Sequence, residues 1–573
     1  MTSQFSRRQF MHYSLMSASG VVMSTGLMGL GGCSPEELLP AGFSHGVASG
    51  DPLSDRVIIW TRVTPDEADT ESLRVLWEVS LDENFNEIVV SDSALASQSR
   101  DFTLKADIVG LDPNTVYYYR FRTVNNTSVV GRAKTLPLGS VDEVKLIALS
   151  CANFPAGYFH AYAEAARSGA DVALHLGDYL YEYARGGYAS DDARRLDRQV
   201  LPEGELITLD DYRTRYGQYR RDPSLQAFHA AMPMIAVWDD HEVANDTWRE
   251  GAENHDEGKE GRFVDRLMAA LQAYSEWMPI RPPVDTDVAS LYRSFQFGDL
   301  LNLSMLDTRL VGRDEQLSYL NYFSLRGFDF ETYQKDVNDE NRSLIGEEQL
   351  QWLQGEFTRN TTWQVLGQQV LMGEMRLPGA VSTQQMSLQE YTTMAQKAEQ
   401  AKLDVNSLSA EDQQLLNAKG NLLKIPSLPY NLDAWDGYPA ERRRILQSIQ
   451  DNQAKLVVLA GDTHNAWANN ITMDGQNVGV EFATSSVSSP GIEKYLGLKN
   501  SFLVKSTERL LKRLVPGLQY TNLSDRGFLA LTFTHQEVQA EWTFVSSVKE
   551  ESYQVLNDRV NKINVSSNNL QID

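Results

Sequence analysis

Cysteine is scarce in this chain, which limits how covalent cross-links could stabilise it. Only Cys33 and Cys151 occur among 573 residues. At most one intrachain disulfide could therefore form, and a disulfide framework is excluded as the basis of the fold. With a hydrophobic fraction of 42%, the chain has instead enough apolar material for a large core and for more than one domain.

Basic residues are also in deficit. The chain has 52 Lys and Arg against 77 Asp and Glu, and its formal net charge is -25. Such an acidic surplus repels nucleic acid, so we expect no nucleic-acid-binding surface. The surplus is explained by a solvated acidic surface or, in part, by carboxylates that bind divalent or trivalent cations.

Residues 1–33 contain no acidic residue and have the layout of an export signal. Arg7 and Arg8 precede an uncharged, mildly apolar stretch from Tyr13 to Gly32, as in a signal segment with a positive N-terminal region. The stretch is rich in Ser, Met and Gly, which favours cleavable export over a permanent membrane span. The paired arginines resemble a twin-arginine signal, so the export machinery of that route is an expected partner.

The signal segment ends in Leu30-Gly31-Gly32-Cys33, which resembles a lipobox. Cys33 would then become the lipid-modified first residue of the mature protein, although an ordinary cleavage site is the alternative. With Cys33 acylated, Cys151 would be a lone thiol in an exported protein. We therefore expect a monomeric lipoprotein, periplasmic or on the cell surface, attached to a membrane through its lipid anchor.

Residues 41–136 alternate short strand-like runs with turns and show no helical periodicity. This pattern predicts an antiparallel β-sandwich. Residues 111–121 look like a fibronectin-type corner, and residues 137–140 form the predicted linker. The strand-like runs are Val57–Arg62, Leu73–Val79, Ile88–Val90, Phe102–Ile108 and Val116–Val124.

Residues 143–550 alternate apolar strands with helical segments, which predicts a layered α/β domain. Two polar insertions, residues 185–225 and 382–424, interrupt this rhythm. Long insertions at a ligand-bearing edge usually shape substrate access. Residues 551–573 form a predicted C-terminal tail, and we expect disorder in its last residues.

Three acidic motifs and one cysteine each follow an apolar run that predicts a buried strand. Open α/β sheets place their ligands at such strand ends, so the four segments predict a shared site. Cys151 follows the run Val144–Ser150. The motifs Gly177–Tyr181, Trp238–Glu242 and Gly461–Asn465 follow the runs Val172–Leu176, Met234–Val237 and Leu456–Ala460.

The residue types in these segments indicate a metal site. Carboxylates suit hard cations, neutral imidazole suits transition metals, and phenolate and thiolate favour a trivalent ion. Asp178 and Tyr181 are three residues apart, so one turn could aim both at a shared ion. Ions held in this way lower the pKa of bound water and generate a nucleophile at moderate pH.

The ordered motifs resemble those of the PhoD-type alkaline phosphatases, which are distant relatives of the purple acid phosphatases within the metallophosphoesterase class. The segment Phe43–Pro52 is similar to the start of that family's N-terminal β-domain, and the resemblance covers nearly the whole mature chain. It implies an α/β fold, a layered α/β/β/α metallophosphoesterase sandwich preceded by a small all-β fibronectin-like domain.

The resemblance also implies metal ligands and their ions. Cys151, Asp178 and Tyr181 would bind Fe3+, with Asp178 bridging to Ca2+. Asp240 would bind the second metal, and His241 would donate a proton to the leaving oxygen or contact the phosphate.

Asp462 and His464 correspond to the final motif of the class. Asp462 replaces a more usual histidine there, and this exchange is consistent with hard, calcium-like ions rather than zinc.

Further candidates have two interpretations each. Asn245 offers a carbonyl ligand or caps a turn. Arg309 clamps the phosphate or forms a salt bridge with Asp307 or Asp299. Asp239 is a ligand or orients the loop of Trp238.

These observations predict an exported, metal-dependent phosphoesterase that hydrolyses phosphate esters through a metal-activated water. One alternative is a phosphodiesterase or phospholipase D-like enzyme on the same fold. The other is a surface lipoprotein with a vestigial site. The hydrolysis rates of a monoester and a diester distinguish the first two possibilities. Analysis for bound iron distinguishes both enzymes from the surface lipoprotein with a vestigial site.

Overall fold

The computed structural model describes residues 21–23, 38–281, 290–325, 327–557 and 561–572. Apart from residues 21–23, which form a short strand, the predicted signal segment with Cys33 lies outside the described residues. No helix within these described ranges has both the length and the apolar character needed to cross a membrane.

Two large sheets form the centre of the molecule. The ten-stranded sheet has the spatial order Val21–Met23, Thr103–Val109, Arg56–Arg62, Val47–Gly50, Met234–Ala236, Val172–His175, Glu143–Leu149, Arg526–Thr534, Glu537–Val545 and Asn561–Ser566. The seven-stranded sheet has the order Arg293–Phe297, Leu301–Met305, Trp363–Gln368, Leu456–Ala460, Gln476–Ala483, Ala466–Met473 and Leu518–Asn522.

The strand Leu456–Ala460 shows how the layers form. All five of its residues are buried, because successive side chains point to opposite faces and both faces are covered. Val457 and Leu459 pack in the core shared with the ten-stranded sheet. Val458 packs on the other side, where Ile445 of the helix Pro439–Asp451 covers the sheet.

Helices cover the outer faces of both sheets, and the predicted α/β/β/α arrangement is confirmed. Helices also form inside both polar insertions, where Thr208 and Ser387 begin helices with capping boxes. The helices are His160–Ala165, Leu209–Tyr219, Pro223–Ala231, Glu257–Glu260, Phe263–Trp277, Phe330–Val337, Gly346–Glu356, Gly379–Ser382, Leu388–Leu403, Ala410–Lys419, Pro439–Asp451, Ile492–Tyr495 and Ser501–Leu514.

The N-terminal region is a β-sandwich that shares a sheet with the rest of the molecule. Three of its strands belong to the ten-stranded sheet, where Gly50 pairs with Met234 in parallel. A Cβ atom on Gly50 would lie 2.0 Å from the carbonyl oxygen of Pro279, so only glycine permits this approach. The second sheet of the sandwich has the order Gly131–Lys134, Val116–Arg122, Ser72–Ser80 and Ile88–Ser97.

Short strand pairs tie down several loops. They are Ala41–Gly42 with Thr64–Pro65, Phe323–Ser324 with Gly327–Phe328, and Arg376–Leu377 with Leu428–Pro429.

Residues 561–572 of the predicted C-terminal tail have defined structure, contrary to expectation. The strand Asn561–Ser566 pairs antiparallel with Glu537–Val545. The Asn470 side chain then donates to the carbonyl oxygen of Ile572 at 2.9 Å and accepts from its amide at 2.8 Å. The expectation of disorder is therefore wrong for the described part of this tail. The polar composition of the tail gave no sign of the strand Asn561–Ser566, because this strand is stabilised by backbone pairing.

Candidate metal centre

The predicted strand ends meet at one edge of the two packed sheets. The strands Glu143–Leu149, Val172–His175 and Met234–Ala236 are parallel neighbours, so their carboxyl ends lie side by side. The strand Leu456–Ala460 of the second sheet brings its own end to them, and Gly461 lies against Ser150 and Leu176. The four segments singled out in the sequence therefore form one site.

The backbone is strained at four of the predicted ligands. Cys151, Asp178, Asp462 and His464 have φ angles of 60°, 56°, 58° and 58°, in the left-handed region that costs a non-glycine residue roughly 1–3 kcal/mol. Such strain persists only where the surrounding structure enforces it, and it concentrates at functional sites.

Glu242, which the sequence analysis did not select, holds the Asp178 turn in place. Its carboxylate accepts hydrogen bonds from the backbone amides of Asp178 at 3.1 Å, Tyr179 at 2.5 Å and Asp239 at 2.8 Å. Gly177 allows these loops to touch, because a Cβ atom there would lie 2.4 Å from Cβ of Asp239. The sequence signal for Glu242 was its place at the end of the second acidic motif.

Among the residues that the structure describes, two groups of side chains have the spacing of metal ligands, and they share one residue. One group is Cys151, Asp178 and His464, and the other is Asp178, Asp240 and His241. Within each group the ligand atoms lie within 4.8 Å of one another. Asp178 is therefore positioned to bridge two ions.

The donor set fits metal ions on a second count. Oδ1 of Asp178 is buried and has no hydrogen-bond partner among the described residues. An unpaired buried carboxylate oxygen is costly, and a coordinated cation removes that cost.

Tyr181 lies between the ligands of the first group. Its hydroxyl donates to Oδ2 of Asp178 at 2.9 Å and lies 3.1 Å from Nε2 of His464. The Ser489 hydroxyl donates to it at 2.8 Å. The sequence prediction that Tyr181 and Asp178 face the same point is consistent with these distances.

Burial and the charge of Asp178 raise the pKa of both the Cys151 thiol and the Tyr181 phenol well above their ordinary values. Without a cation, both groups would be neutral. A multivalent cation reverses this preference, because it stabilises thiolate and phenolate directly.

Each histidine of the site has one nitrogen committed to a hydrogen bond. Nδ1 of His464 donates to the carbonyl oxygen of Pro490 at 2.8 Å. Nδ1 of His241 lies 2.7 Å from Oε2 of Glu182. In both residues Nε2 is left for the site, which is the usual way in which a hydrogen bond orients a ligating or proton-transferring imidazole.

The charge on His241 depends on its acidic neighbours. Burial alone would lower its pKa, but Asp240 and Glu182 raise the pKa of His241 well above 6.5. Glu182 is completely buried and was not selected from the sequence, although it directly follows Tyr181.

Asp462 lines the cavity of the site together with Asp240 and His241. Burial, and secondarily the charge of Asp433, raise the pKa of Asp462 to about 7, while Arg309 opposes this shift. Asp462 is thus another carboxylate whose ionisation a nearby cation would favour.

Asn245 lines the same cavity. Its side-chain oxygen accepts from the Tyr183 hydroxyl at 3.1 Å, and its amide group donates to Glu253 at 2.8 Å. The carbonyl keeps a second lone pair, so its role as a ligand stays a prediction.

Arg309 does not have the surroundings expected of a phosphate clamp. Its side chain is fully buried. Nε donates to Asp239 at 2.5 Å, and Nη1 and Nη2 donate to the carboxylate of Asp433 at 2.8 and 2.9 Å. Nη2 lies 3.9 Å from Oδ1 of Asp240 and 4.0 Å from Oδ1 of Asp462. All three nitrogens are thus committed to carboxylates, and Arg309 neutralises the acids behind the site.

Arg309 therefore forms salt bridges, as one of the two interpretations predicted. Its partners are Asp239 and Asp433, whereas the sequence analysis named Asp307 and Asp299. The role of Asp239 as a ligand or as the group that orients the loop of Trp238 stays a prediction. Asp307 accepts from the indole Nε1 of Trp238 at 3.0 Å.

The comparisons with known proteins agree with this geometry. A family model described as PhoD-like phosphatase matches residues 146–542, and one for its N-terminal domain matches residues 33–137. Alkaline phosphatase D of Bacillus subtilis (strain 168) is 34% identical over 529 residues, which cover 89% of this chain and 78% of the relative. A solved structure described as PhoD superposes with a TM-score of 0.73 at 29% identity, over 94% of this chain and 93% of the other.

Fold, site and relatives together define a phosphoric ester hydrolase, which acts on phosphate esters. More narrowly, the chain belongs to the PhoD-like phosphatase family, and the resemblance drawn from its motifs is confirmed.

Proposed function

We propose that this chain is an exported, metal-dependent alkaline phosphatase with a mixed Fe3+ and Ca2+ centre. The observation that carries the proposal is the position of Asp178 in both ligand groups, with one buried carboxylate oxygen that has no hydrogen-bond partner in the described part of the chain. Cys151, Asp178 and Tyr181 would hold Fe3+, and Asp178 and Asp240 would hold Ca2+. Asp462, His464 and Asn245 would complete the two ligand sets.

The bound ions would lower the pKa of a water molecule and neutralise charge on the phosphate. The residues of the chain supply the remaining steps. His241, protonated because of its acidic neighbours, would give a proton to the leaving oxygen. Glu182 orients that imidazole, and Arg309 compensates the carboxylates behind the site.

The test is metal analysis and turnover of the purified wild type and of Cys151→Ala. We expect iron and phosphatase activity in the wild type, and loss of iron and of most turnover in Cys151→Ala. Cys33→Ala is the matched control, because it removes the other cysteine and should keep the iron. Unchanged iron in Cys151→Ala would remove the thiolate from the proposed centre.

The same preparations decide between ester classes. We expect a monoester to be hydrolysed faster than a diester. A diester rate well above the monoester rate would instead support the phosphodiesterase or phospholipase D-like alternative. Absence of both iron and activity would support the surface lipoprotein with a vestigial site.

We also propose the organisation predicted from the sequence, with a signal segment at 1–33, a sandwich domain at 41–136 and a catalytic domain at 143–550. Replacement of Arg7 and Arg8 by lysine should block export. Cys33→Ala should be exported but released from the membrane fraction. Wild-type protein found in the soluble fraction after export would contradict the lipid anchor.

A further inference from the structure

Four tyrosines line the active-site cavity, and no step of hydrolysis uses them. Tyr183 donates to the predicted ligand Asn245, and the other three are Tyr188, Tyr430 and Tyr495. Tyr188 belongs to the first polar insertion, Tyr430 follows the second, and Tyr495 ends the helix Ile492–Tyr495. All three line the cavity that contains Asp462 and His464. Three separate segments of the chain therefore bring a phenol ring to one place.

These rings are placed where a substrate would meet them. Tyr430 and Tyr495 are 40% and 64% exposed, whereas Tyr181 deeper in the site is buried. The Tyr188 hydroxyl lies 3.3 Å from Nδ1 of His464. Exposed aromatic surface beside a polar cavity is typical of a ligand-binding surface.

The charge of the cavity restricts what could bind beside these rings. Among the described residues that line it, none is Lys or Arg. Its carboxylates are those of Asp240, Asp246, Asp436 and Asp462. The guanidinium of Arg309 lies buried behind the site with its nitrogens committed to carboxylates.

A phosphate at the metal centre would be neutralised by the ions held there. A second phosphate on the same substrate would find no Lys or Arg among the described residues that line the cavity, and the imidazolium of His241 serves the leaving oxygen. It would lie beside the carboxyl groups of Asp246 and Asp436 in a partly desolvated space, which is unfavourable. The cavity volume is about 270 Å³, near the lower limit of roughly 300–1,000 Å³ for ligand pockets. The cavity thus suits a small organic group attached to one phosphate.

We propose that the preferred substrates carry a single phosphate esterified to a compound with a flat, uncharged ring, which stacks on Tyr188, Tyr430 and Tyr495. This inference rests on the proposed phosphatase function and deepens it. Offset or edge-on ring contacts are favourable beyond simple burial. Loss of one tyrosine ring should therefore lower kcat/KM for ring-bearing substrates roughly three- to tenfold.

Two substrate pairs test the proposal on the wild-type, metal-loaded enzyme. Benzyl phosphate and glycerol 1-phosphate differ in the ring while both release an alcohol. Adenosine 5′-monophosphate and adenosine 3′,5′-bisphosphate differ by one phosphate on the same ring. We expect kcat/KM to favour benzyl phosphate in the first pair and the monophosphate in the second. Equal values within both pairs would overturn the proposal.

Variants then assign the preference to the rings. Tyr430→Ala and Tyr495→Ala should reduce kcat/KM for benzyl phosphate by a larger factor than for glycerol 1-phosphate. Tyr495→Lys should narrow the gap between the bisphosphate and the monophosphate, because it adds a cation at the mouth. Phe502→Ala is the control, since Phe502 is 75% exposed and does not line the cavity.

Other outcomes are equally decisive. Equal losses on both substrates in the tyrosine variants would overturn the stacking role. A preference for phosphocholine over benzyl phosphate would also overturn it, because the rings would then serve as a cation site. If the wild type hydrolyses no phosphoester, the proposed function fails and this inference fails with it. If it hydrolyses all of them without preference, only this inference fails.

Discussion

Nδ1 of His241 lies 2.7 Å from Oε2 of Glu182, a carboxylate with no solvent exposure. The Glu182 carboxylate also accepts from the backbone amide of Asn245 at 2.8 Å and from the side chain of Asn254 at 3.0 Å. The imidazole is therefore held by an anion that is itself fixed from two further directions. This arrangement sets both the orientation and the charge of His241.

Glu182→Gln removes that charge while keeping a side chain of similar shape. We expect kcat to fall roughly 10- to 100-fold with little change in KM. Because Glu182 raises the pKa of His241, its loss should lower that pKa, and the high-pH limb of kcat should move to lower pH. Steady-state kinetics across pH measure both effects.

Glu203→Gln is the matched control, since the Glu203 side chain is 75% exposed and pairs with Arg185 on the surface. An unchanged pH profile in Glu182→Gln would contradict the assigned role.

Asp178→Asn should cost the protein both ions, because Asp178 belongs to both ligand groups. We expect the iron and calcium contents to fall together and turnover to be lost. Elemental analysis of the purified variant measures this. Asp191→Asn, at a surface carboxylate that pairs with Lys494, should keep both ions. Loss of only one ion from Asp178→Asn would contradict the bridging role.

Arg309→Met should destabilise the fold, because it leaves Asp239 buried without its counter-charge, whereas Asp433 keeps the guanidinium of Arg313. Breaking a buried ion pair in this way costs about 3–5 kcal/mol, measured as the free energy of unfolding by chemical denaturation. Arg443→Met, at an exposed pair with Asp474, should change that free energy by no more than about 1 kcal/mol. A raised KM with unchanged stability in Arg309→Met would restore the phosphate clamp.

Lys105 gives the stability a pH dependence far from the metal centre. Burial lowers the pKa of Lys105 to about 7, and its Nζ donates to the carbonyl oxygen of Ile280 at 3.2 Å. The unfolded chain binds this proton up to pH about 10.5, whereas the folded chain releases it near 7. Stability should therefore rise with pH between these values.

Lys105→Met should remove that rise, which thermal unfolding at several pH values between 7 and 10 would measure. Lys145→Met is the control, because the Lys145 side chain is 49% exposed. If the wild type and Lys105→Met have parallel stability curves over this range, Lys105 is not the group responsible.

The sequence was most informative where both faces of a strand are buried. Leu456–Ala460 was predicted with its true bounds, because a strand covered on both sides is a continuous apolar run. The strand Ala466–Met473, close by in the same sheet, is not a continuous apolar run. It contains Asn469, whose side chain satisfies the buried Glu481 at 2.9 Å, and such polar pairs interrupt the hydrophobic pattern.

The site divides in a similar way. Residues at strand ends, such as Asp178 and His464, were predictable because the fold class places ligands there. Asp433 and Glu182 were not predictable, because each contacts a site residue that is distant in sequence. Asp433 binds Arg309, and Glu182 binds His241. Asp433 lies 124 positions after Arg309, and no local pattern links the two. The wrong salt-bridge partners named for Arg309 have the same origin.

The single parallel pairing of Gly50 with Met234 has a consequence for how the chain can be divided. A protein that began after residue 137 would keep the strand Met234–Ala236 but lose the neighbour that covers its outer side. Its amides and carbonyls would form an open edge, which invites pairing with other molecules. The N-terminal sandwich thus covers a strand edge that could otherwise promote aggregation. An isolated catalytic fragment would need another segment to cover that edge.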